Sequence, residues 1–95
     1  MSDRASTATT SGTAVLVRYF AAARAATGID EETVTVPAPA SVATVLAALG
    51  ARHGSGLAQV LDRCSFLLNE VVVGDPSRAV GAGDAIDVLP PFAGG

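Results

Sequence analysis

Only one stretch of this 95-residue sequence has the periodicity of a long α-helix, and β-rich segments lie on both sides of it. Val42, Val45, Leu46 and Leu49 recur at the spacing that places them on one face of a helix, and Ser41 before them is a suitable N-cap. An amphipathic helix must bury its apolar face against another element. The flanking β-rich segments therefore have to supply a sheet for it.

The segments before this helix predict a β-hairpin. Residues 14–20 are apolar and rich in β-formers, which indicates a largely buried strand. Residues 32–36 alternate polar and apolar side chains, which indicates a strand with one solvent-exposed face. Between them, the alanine-rich residues 21–26 predict one short helical turn closed by Gly28. Pro37 ends the second strand.

The segments after the helix predict a second short helix at 57–61 and further strands. Residues 65–69 and 71–73 are consistent either with one strand and the start of another or with one bent strand, and residues 85–89 form the last strand. This order predicts an α+β fold with helices on one face of a mixed sheet, in which the first and last strands are parallel neighbours. A β-grasp fold fits this order.

The two ends of the sequence differ from the central region. Residues 1–12 are Ser, Thr, Ala and Gly with two charges and predict a disordered tail; residues 13–89 are the predicted domain, and residues 90–95 a flexible functional tail. No apolar segment resembles a secretory signal or is long enough to span a membrane, so we expect a cytoplasmic protein with no membrane contact. The six basic residues are scattered and the net charge is −3, which disfavours nucleic-acid binding.

No pattern of side chains predicts a conventional active site or a metal site. His53, the only histidine, is interpreted as a polar residue at a helix end, and Cys64, the only cysteine, as a buried structural thiol rather than a nucleophile. Asp84 and Asp87 are expected on opposite faces of a strand and so form no catalytic pair. Residues 30–32, Asp-Glu-Glu, predict a solvated turn.

The chemically distinctive group is the α-carboxylate of Gly95. Gly94 and Gly95 carry no side chain, so such an end can enter a narrow channel in another protein, and Pro90 and Pro91 stiffen the segment before it. Adenylation by ATP would make this carboxylate an electrophile, and a sulfur nucleophile could then form a thiocarboxylate. The residues alone leave other readings open: a frayed terminus, an interaction module with an idle tail, or a modifier conjugated to lysines of other proteins.

Residues 83–95, Gly-Asp-Ala-Ile-Asp-Val-Leu-Pro-Pro-Phe-Ala-Gly-Gly, resemble the ending of the molybdopterin synthase small subunits, the MoaD-like sulfur carriers related to ubiquitin. Residues 17–24 resemble the first strand of that family with its Phe-Ala-x-x-Arg continuation, and residues 68–70 resemble its Val-Asn strand. The resemblance implies a β-grasp fold. It also implies that an E1-like adenylyltransferase activates Gly95, that Gly95 is sulfurated, and that the thiocarboxylate donates sulfur to cyclic pyranopterin monophosphate inside the large synthase subunit.

The resemblance further implies a heterotetramer of two small and two large subunits, with ATP and the pterin held by partner proteins and no cofactor bound here. Sibling carriers that serve thiamine or cysteine synthesis share the Gly-Gly ending, and the Pro-Pro pair favours the molybdopterin branch. We predict that Phe20, Val72 and Leu89 form one exposed apolar patch used by both partners, although Leu89 stands where several relatives have an aromatic residue. The remaining predicted partner-binding residues are Pro90, Pro91 and Phe92.

Overall fold

A computed structural model describes residues 12–91, and within that range the chain forms a mixed sheet with helices on one of its faces. The strands are β1 (Gly12–Tyr19), β2 (Glu31–Pro37), β3 (Ala40–Ser41), β4 (Ser65–Leu68), β5 (Val71–Val72), β6 (Ala79–Val80) and β7 (Ala85–Leu89). The helices are α1 (Ala21–Thr27), α2 (Val42–His53) and α3 (Ser55–Leu61).

The first and last strands lie side by side in the middle of the sheet. Five strands follow the order β2-β1-β7-β4-β5, and β3 pairs with β6 in a separate two-stranded sheet. Strand β1 is antiparallel to β2 and parallel to β7, with Tyr19 opposite Val88. The predicted α+β class, the β-grasp fold and the parallel pairing of the end strands are thereby confirmed.

The core lies between this sheet and helix α2. Alternate residues of β1 point toward the helix, so Val15 and Val17 are fully buried, and the spacing of the helix buries Val45 and Leu49 in the same way. Full burial of such a side chain contributes about 1.5–3 kcal/mol. Ser41 caps the helix as predicted: its hydroxyl accepts the Thr44 N–H, and the Thr44 hydroxyl accepts the Ser41 N–H.

Turn chemistry decides the connections that periodicity leaves open. Gly28 closes helix α1 in the left-handed conformation at φ 78°, as predicted. Asn69 and Glu70 both have positive φ, which forms the tight turn of a β-hairpin, so residues 65–73 contain two strands and not one bent strand. Strands β3 and β6 were not predicted, since a two-residue strand shows no alternation.

Glu32 contradicts the prediction that residues 30–32 form a solvated turn. Its side chain is only 12% exposed, because strand β2 begins at Glu31 and turns Glu32 toward the end of α2. Tyr19 donates its hydroxyl hydrogen to Glu32 Oε2 at 2.5 Å, and Arg52 Nη1 donates to Oε1 at 2.7 Å. His53 Nε2 also lies 2.5 Å from Oε2. One carboxylate thus joins two strands to the helix.

We expect Glu32→Gln to destabilise the fold by about 1–3 kcal/mol at neutral pH, because it weakens hydrogen bonds to partly buried donors. Burial raises the pKa of Glu32, but the hydrogen bonds from Tyr19, His53 and Arg52 outweigh it and hold the pKa below its ordinary value of 4.5. A carboxyl group whose pKa is lower in the folded state than in the unfolded state stabilises the fold at pH values above its unfolded-state pKa. That stabilisation is lost as the pH falls through the folded-state pKa. Urea unfolding at pH 7 and below pH 4.5 should therefore show that the free energy of unfolding decreases less on acidification in the variant than in the unmodified chain.

Glu31→Gln is the matched control, since Glu31 is exposed. If both substitutions have the same effect on the free energy of unfolding at each pH, the cluster around Glu32 contributes nothing specific.

Residues 1–11 lie outside the described residues, and β1 already begins at Gly12, so the predicted tail boundary at residue 12 is one residue too late. Gly12 pairs with Pro37, and Thr13 behind it is buried. We expect a chain that starts at Gly12 to keep its melting temperature. A chain that starts at Leu16 should melt lower, because it loses the buried Val15. A decrease of several degrees in the melting temperature of the chain that starts at Gly12 would contradict this prediction.

Candidate functional site

The sheet has a second face that no helix of residues 12–91 covers. Residues on the helix side of β1 and β7 are buried, so their alternate neighbours point away from the helices. The registers extend this alternation across the sheet, since Leu67 pairs with both Asp87 and Val72. We call this surface the open face; strand β2 contributes polar residues to it, and the whole set is Ala14, Leu16, Arg18, Phe20, Glu31, Thr33, Thr35, Ser65, Leu67, Val72, Ala85, Asp87 and Leu89.

The three residues of the predicted apolar patch all lie on the open face. Phe20 is 42% exposed and Val72 is 70% exposed, while Leu89 is partly buried. Phe20 follows β1 in an extended conformation at the start of α1, beside the end of β7 that carries Leu89. Val72 lies two strands away, beyond Leu67. The structure thus keeps the patch at the surface, and its use by partners stays a prediction.

An ion pair that the sequence reading missed lies in the middle of the open face. Arg18 and Asp87 are directly opposite each other on β1 and β7, and Arg18 Nε donates to Asp87 Oδ1 at 2.6 Å. This hydrogen bond raises the pKa of Arg18. The sequence predicts that these two strands are parallel neighbours but not which of their residues lie opposite each other, so no sequence signal identifies the pair.

Asp84 lies in the turn before β7, so the prediction that it shares a strand with Asp87 is wrong. It accepts the Gly81 N–H at 2.8 Å and the Asn69 side-chain N–H at 3.1 Å. The Gly81 N–H, followed by the Asn69 amide, holds the pKa of Asp84 below its usual value. Asp84 therefore stabilises the turn that precedes the central strand, while Asp87 lies on the open face and binds Arg18.

The C-terminal segment leaves the sheet at Pro90, directly after the central strand β7. Proline has no N–H to continue the strand pairing. Phe92, Gly94 and Gly95 lie outside the described residues. Pro90 and Pro91 line a groove of about 360 Å³ on the helix side of the sheet end, together with Ala22, Gly56, Gln59, Val60 and Arg63.

Comparison with known proteins agrees with this geometry. The ThiS family model matches residues 17–95, which is most of the chain. The chain belongs to the ThiS family. Among the curated relatives of this ThiS family member, the human molybdopterin synthase sulfur carrier subunit is 35% identical over 83 residues, 85% of this chain and 93% of the relative. The resemblance carried by the ending of the sequence is confirmed.

Two solved structures extend the comparison. Small archaeal modifier protein 1 of Haloferax volcanii superposes on this ThiS family chain with a TM-score of 0.76 at 26% identity, covering 85% of this chain and all of the other. A subunit in the complex of subunits 1 and 2 of the molybdopterin-converting factor of Helicobacter pylori superposes with a TM-score of 0.60 at 29% identity, covering 87% of this chain and all of that one. The ThiS family fold therefore occurs both in a modifier and in a two-subunit complex.

The other titratable candidates of this ThiS family member have structural roles. Cys64 is half-buried just before β4; its thiol donates to the Val60 carbonyl at 3.2 Å, and burial raises its pKa, which disfavours the thiolate. His53 ends helix α2, as predicted, and contacts Glu32. Within residues 12–91, no helix is long and apolar enough to cross a membrane.

Proposed function

We propose that this chain is a sulfur carrier of molybdenum cofactor biosynthesis and acts as the small subunit of molybdopterin synthase. The similarity to the human sulfur carrier subunit, which spans 85% of this chain, carries the proposal. The geometry supports it, because the central strand β7 runs directly into the segment that ends in Gly94-Gly95. Such a segment can present a carboxylate at a distance of several residues from a rigid domain.

The proposed chemistry takes place on the Gly95 carboxylate in two steps. A carboxylate oxygen attacks the α-phosphorus of ATP, which forms an acyl adenylate and releases pyrophosphate. A sulfur nucleophile such as hydrosulfide then attacks the acyl carbon, and the acyl–oxygen bond to AMP breaks, which leaves a thiocarboxylate. An E1-like adenylyltransferase supplies the ATP site, and we expect both steps in the cytoplasm.

The large subunit of the synthase is the proposed recipient. The complex of subunits 1 and 2 in Helicobacter pylori supports a partner of this kind. In the proposal the large subunit covers the open face, the tail enters its active site, and the thiocarboxylate gives its sulfur to cyclic pyranopterin monophosphate held there. Two small and two large subunits form the proposed heterotetramer, and ATP and the pterin are bound by the partners.

The test is the intact mass of the carrier. Co-expression with its activating enzyme and a sulfur source should add the mass of one oxygen-to-sulfur exchange, located on the C-terminal peptide. Incubation with the large subunit and cyclic pyranopterin monophosphate should then return the carrier to its original mass. A carrier that gains no sulfur under these conditions contradicts the proposal.

A second candidate function is conjugation to other proteins, which the likeness to small archaeal modifier protein 1 favours. The chain contains no lysine, so it cannot build lysine-linked chains of itself. A modifier would produce a ladder of larger adducts in the same co-expression, whereas a carrier produces only the small mass change. A carrier for thiamine or cysteine synthesis would gain sulfur but would not release it to the pterin.

We expect replacement of Pro90 and Pro91 by alanine to weaken binding of the large subunit by about 1 kcal/mol, using about 0.4–1 kcal/mol for each proline. Prolines restrict the unbound tail, so less conformational entropy is lost when it docks. The free energy of unfolding should hardly change, since both residues lie after β7. Calorimetric titration of the large subunit with both forms provides the measurement. Equal affinities would mean that the prolines only end the strand.

A further inference from the structure

The open face carries the Arg18–Asp87 ion pair among apolar side chains at its centre, while strand β2 adds polar residues along one edge. Arg18 lies between Leu16 on β1 and Phe20 just after it. On β7, Asp87 lies between Ala85 and Leu89. The Arg18 side chain is 35% exposed and the Asp87 side chain only 12%. A partner that covers this face therefore meets the guanidinium of Arg18 more than the carboxylate.

Docking would remove water from donors that have no partner among the contacts of the described residues. A guanidinium carries five N–H donors in a planar fork, and Asp87 accepts the one on Nε. A buried donor without an acceptor is costly, which applies to the free edge of Arg18 once a partner excludes water. The partner therefore has to place an acceptor there.

The surrounding charges indicate which kind of acceptor fits. Arg18 is bound to Asp87 and lies opposite the exposed Glu31 across the β1–β2 register. The guanidinium therefore already binds one carboxylate and has a second acidic residue opposite it on the neighbouring strand. A further carboxylate from the partner would add like-charge repulsion in a water-poor interface, whereas an uncharged oxygen would not.

We propose that the Arg18–Asp87 pair is the polar recognition point of the open face, and that the large subunit places an uncharged hydrogen-bond acceptor, such as a main-chain carbonyl, over the free edge of Arg18. This inference rests on the proposed function, because the occupant is the large subunit of the synthase. The pair selects partners by penalising any surface that is apolar at this point.

Two double variants test the proposal, because each removes both charges and so leaves neither one unpaired. R18L/D87A removes the donors, and R18Q/D87N keeps an amide donor without the charge. Titration of the large subunit from the same organism should show a loss of affinity of about tenfold or more for R18L/D87A, since the partner's acceptor loses its donor. R18Q/D87N should stay within about threefold of the unmodified carrier. Thermal unfolding of each variant identifies losses due to misfolding, and R18Q/D87N keeps the comparison informative if R18L/D87A does not fold.

The outcomes separate the inference from the function on which it rests. Equal or tighter binding by R18L/D87A would overturn the inference, because replacing a spectator ion pair by apolar residues is often neutral or stabilising. Equal, large losses of affinity in both variants, when both are folded, would contradict the proposal that the partner's acceptor is uncharged. If the unmodified carrier gains sulfur but does not bind the large subunit, the proposed partner is wrong and the inference falls with it. If it gains no sulfur, the carrier function fails.

Discussion

Removal of Gly95 is expected to abolish sulfur transfer and to leave the domain folded. The deletion moves the terminal carboxylate, the group that we propose is adenylated, back by one residue, so it would no longer reach the phosphorus of ATP in the activating enzyme. Effective catalysis needs the reacting atoms about 3–3.5 Å apart, and a shift of one residue is about as large, at roughly 3.3 Å. Intact mass after co-expression with the activating enzyme measures the loss directly.

Gly94→Val should have nearly the same effect while keeping the chain length. The added isopropyl side chain would obstruct entry into a narrow channel, and valine is excluded from backbone conformations that glycine adopts freely. Gly74→Val is the matched control, because a Cβ at Gly74 would meet open space. Sulfur transfer by the Gly94 variant or by the Gly95 deletion at the unmodified rate would mean that the tail is not the carrier.

The fold could be predicted where a local pattern and the global arrangement agree. The spacing of Val42, Val45 and Leu49 fixes one helix face, and all three residues are fully buried. The adjacency of Phe20 and Leu89 followed from the parallel pairing of the end strands. Both predictions use periodicity over several residues, which a single sequence displays.

The parts that could not be predicted depend on contacts between distant residues. Glu32 looked like the end of an acidic turn, yet it accepts hydrogen bonds from Tyr19, Arg52 and His53, the last two from a helix 20 and 21 residues further along the chain. Strands β3 and β6 are each two residues long and are defined only by pairing with each other. The Arg18–Asp87 pair becomes visible only when the register of β1 against β7 is known. Local sequence cannot specify such pairs, because either residue alone is typical of an exposed position.

Neighbouring residues of the short edge strand β5 provide the sharpest test of the open face. Val72 pairs with Leu67 on the open face, whereas Val71 pairs with the buried Leu68 and so points to the helix side of the sheet. Both side chains are exposed, at 70% and 54%. A charge at either position is tolerated by an edge strand in the free protein. The two positions therefore differ mainly in which face of the sheet they present.

Val72→Asp is expected to weaken binding of the large subunit by about 3 kcal/mol or more, which is more than a hundredfold in Kd, because docking would bury a carboxylate without a partner. Val71→Asp should leave the affinity nearly unchanged, since the side chain at this position points away from the open face. Calorimetric titration of the large subunit with both variants gives the comparison, and their thermal unfolding curves show whether each is folded. Adenylation assays should show the same difference between Val72→Asp and Val71→Asp if the activating enzyme also contacts the open face. Equal losses for both variants would show that edge strand β5 is contacted from both sides, and no loss for Val72→Asp would remove Val72 from the interface.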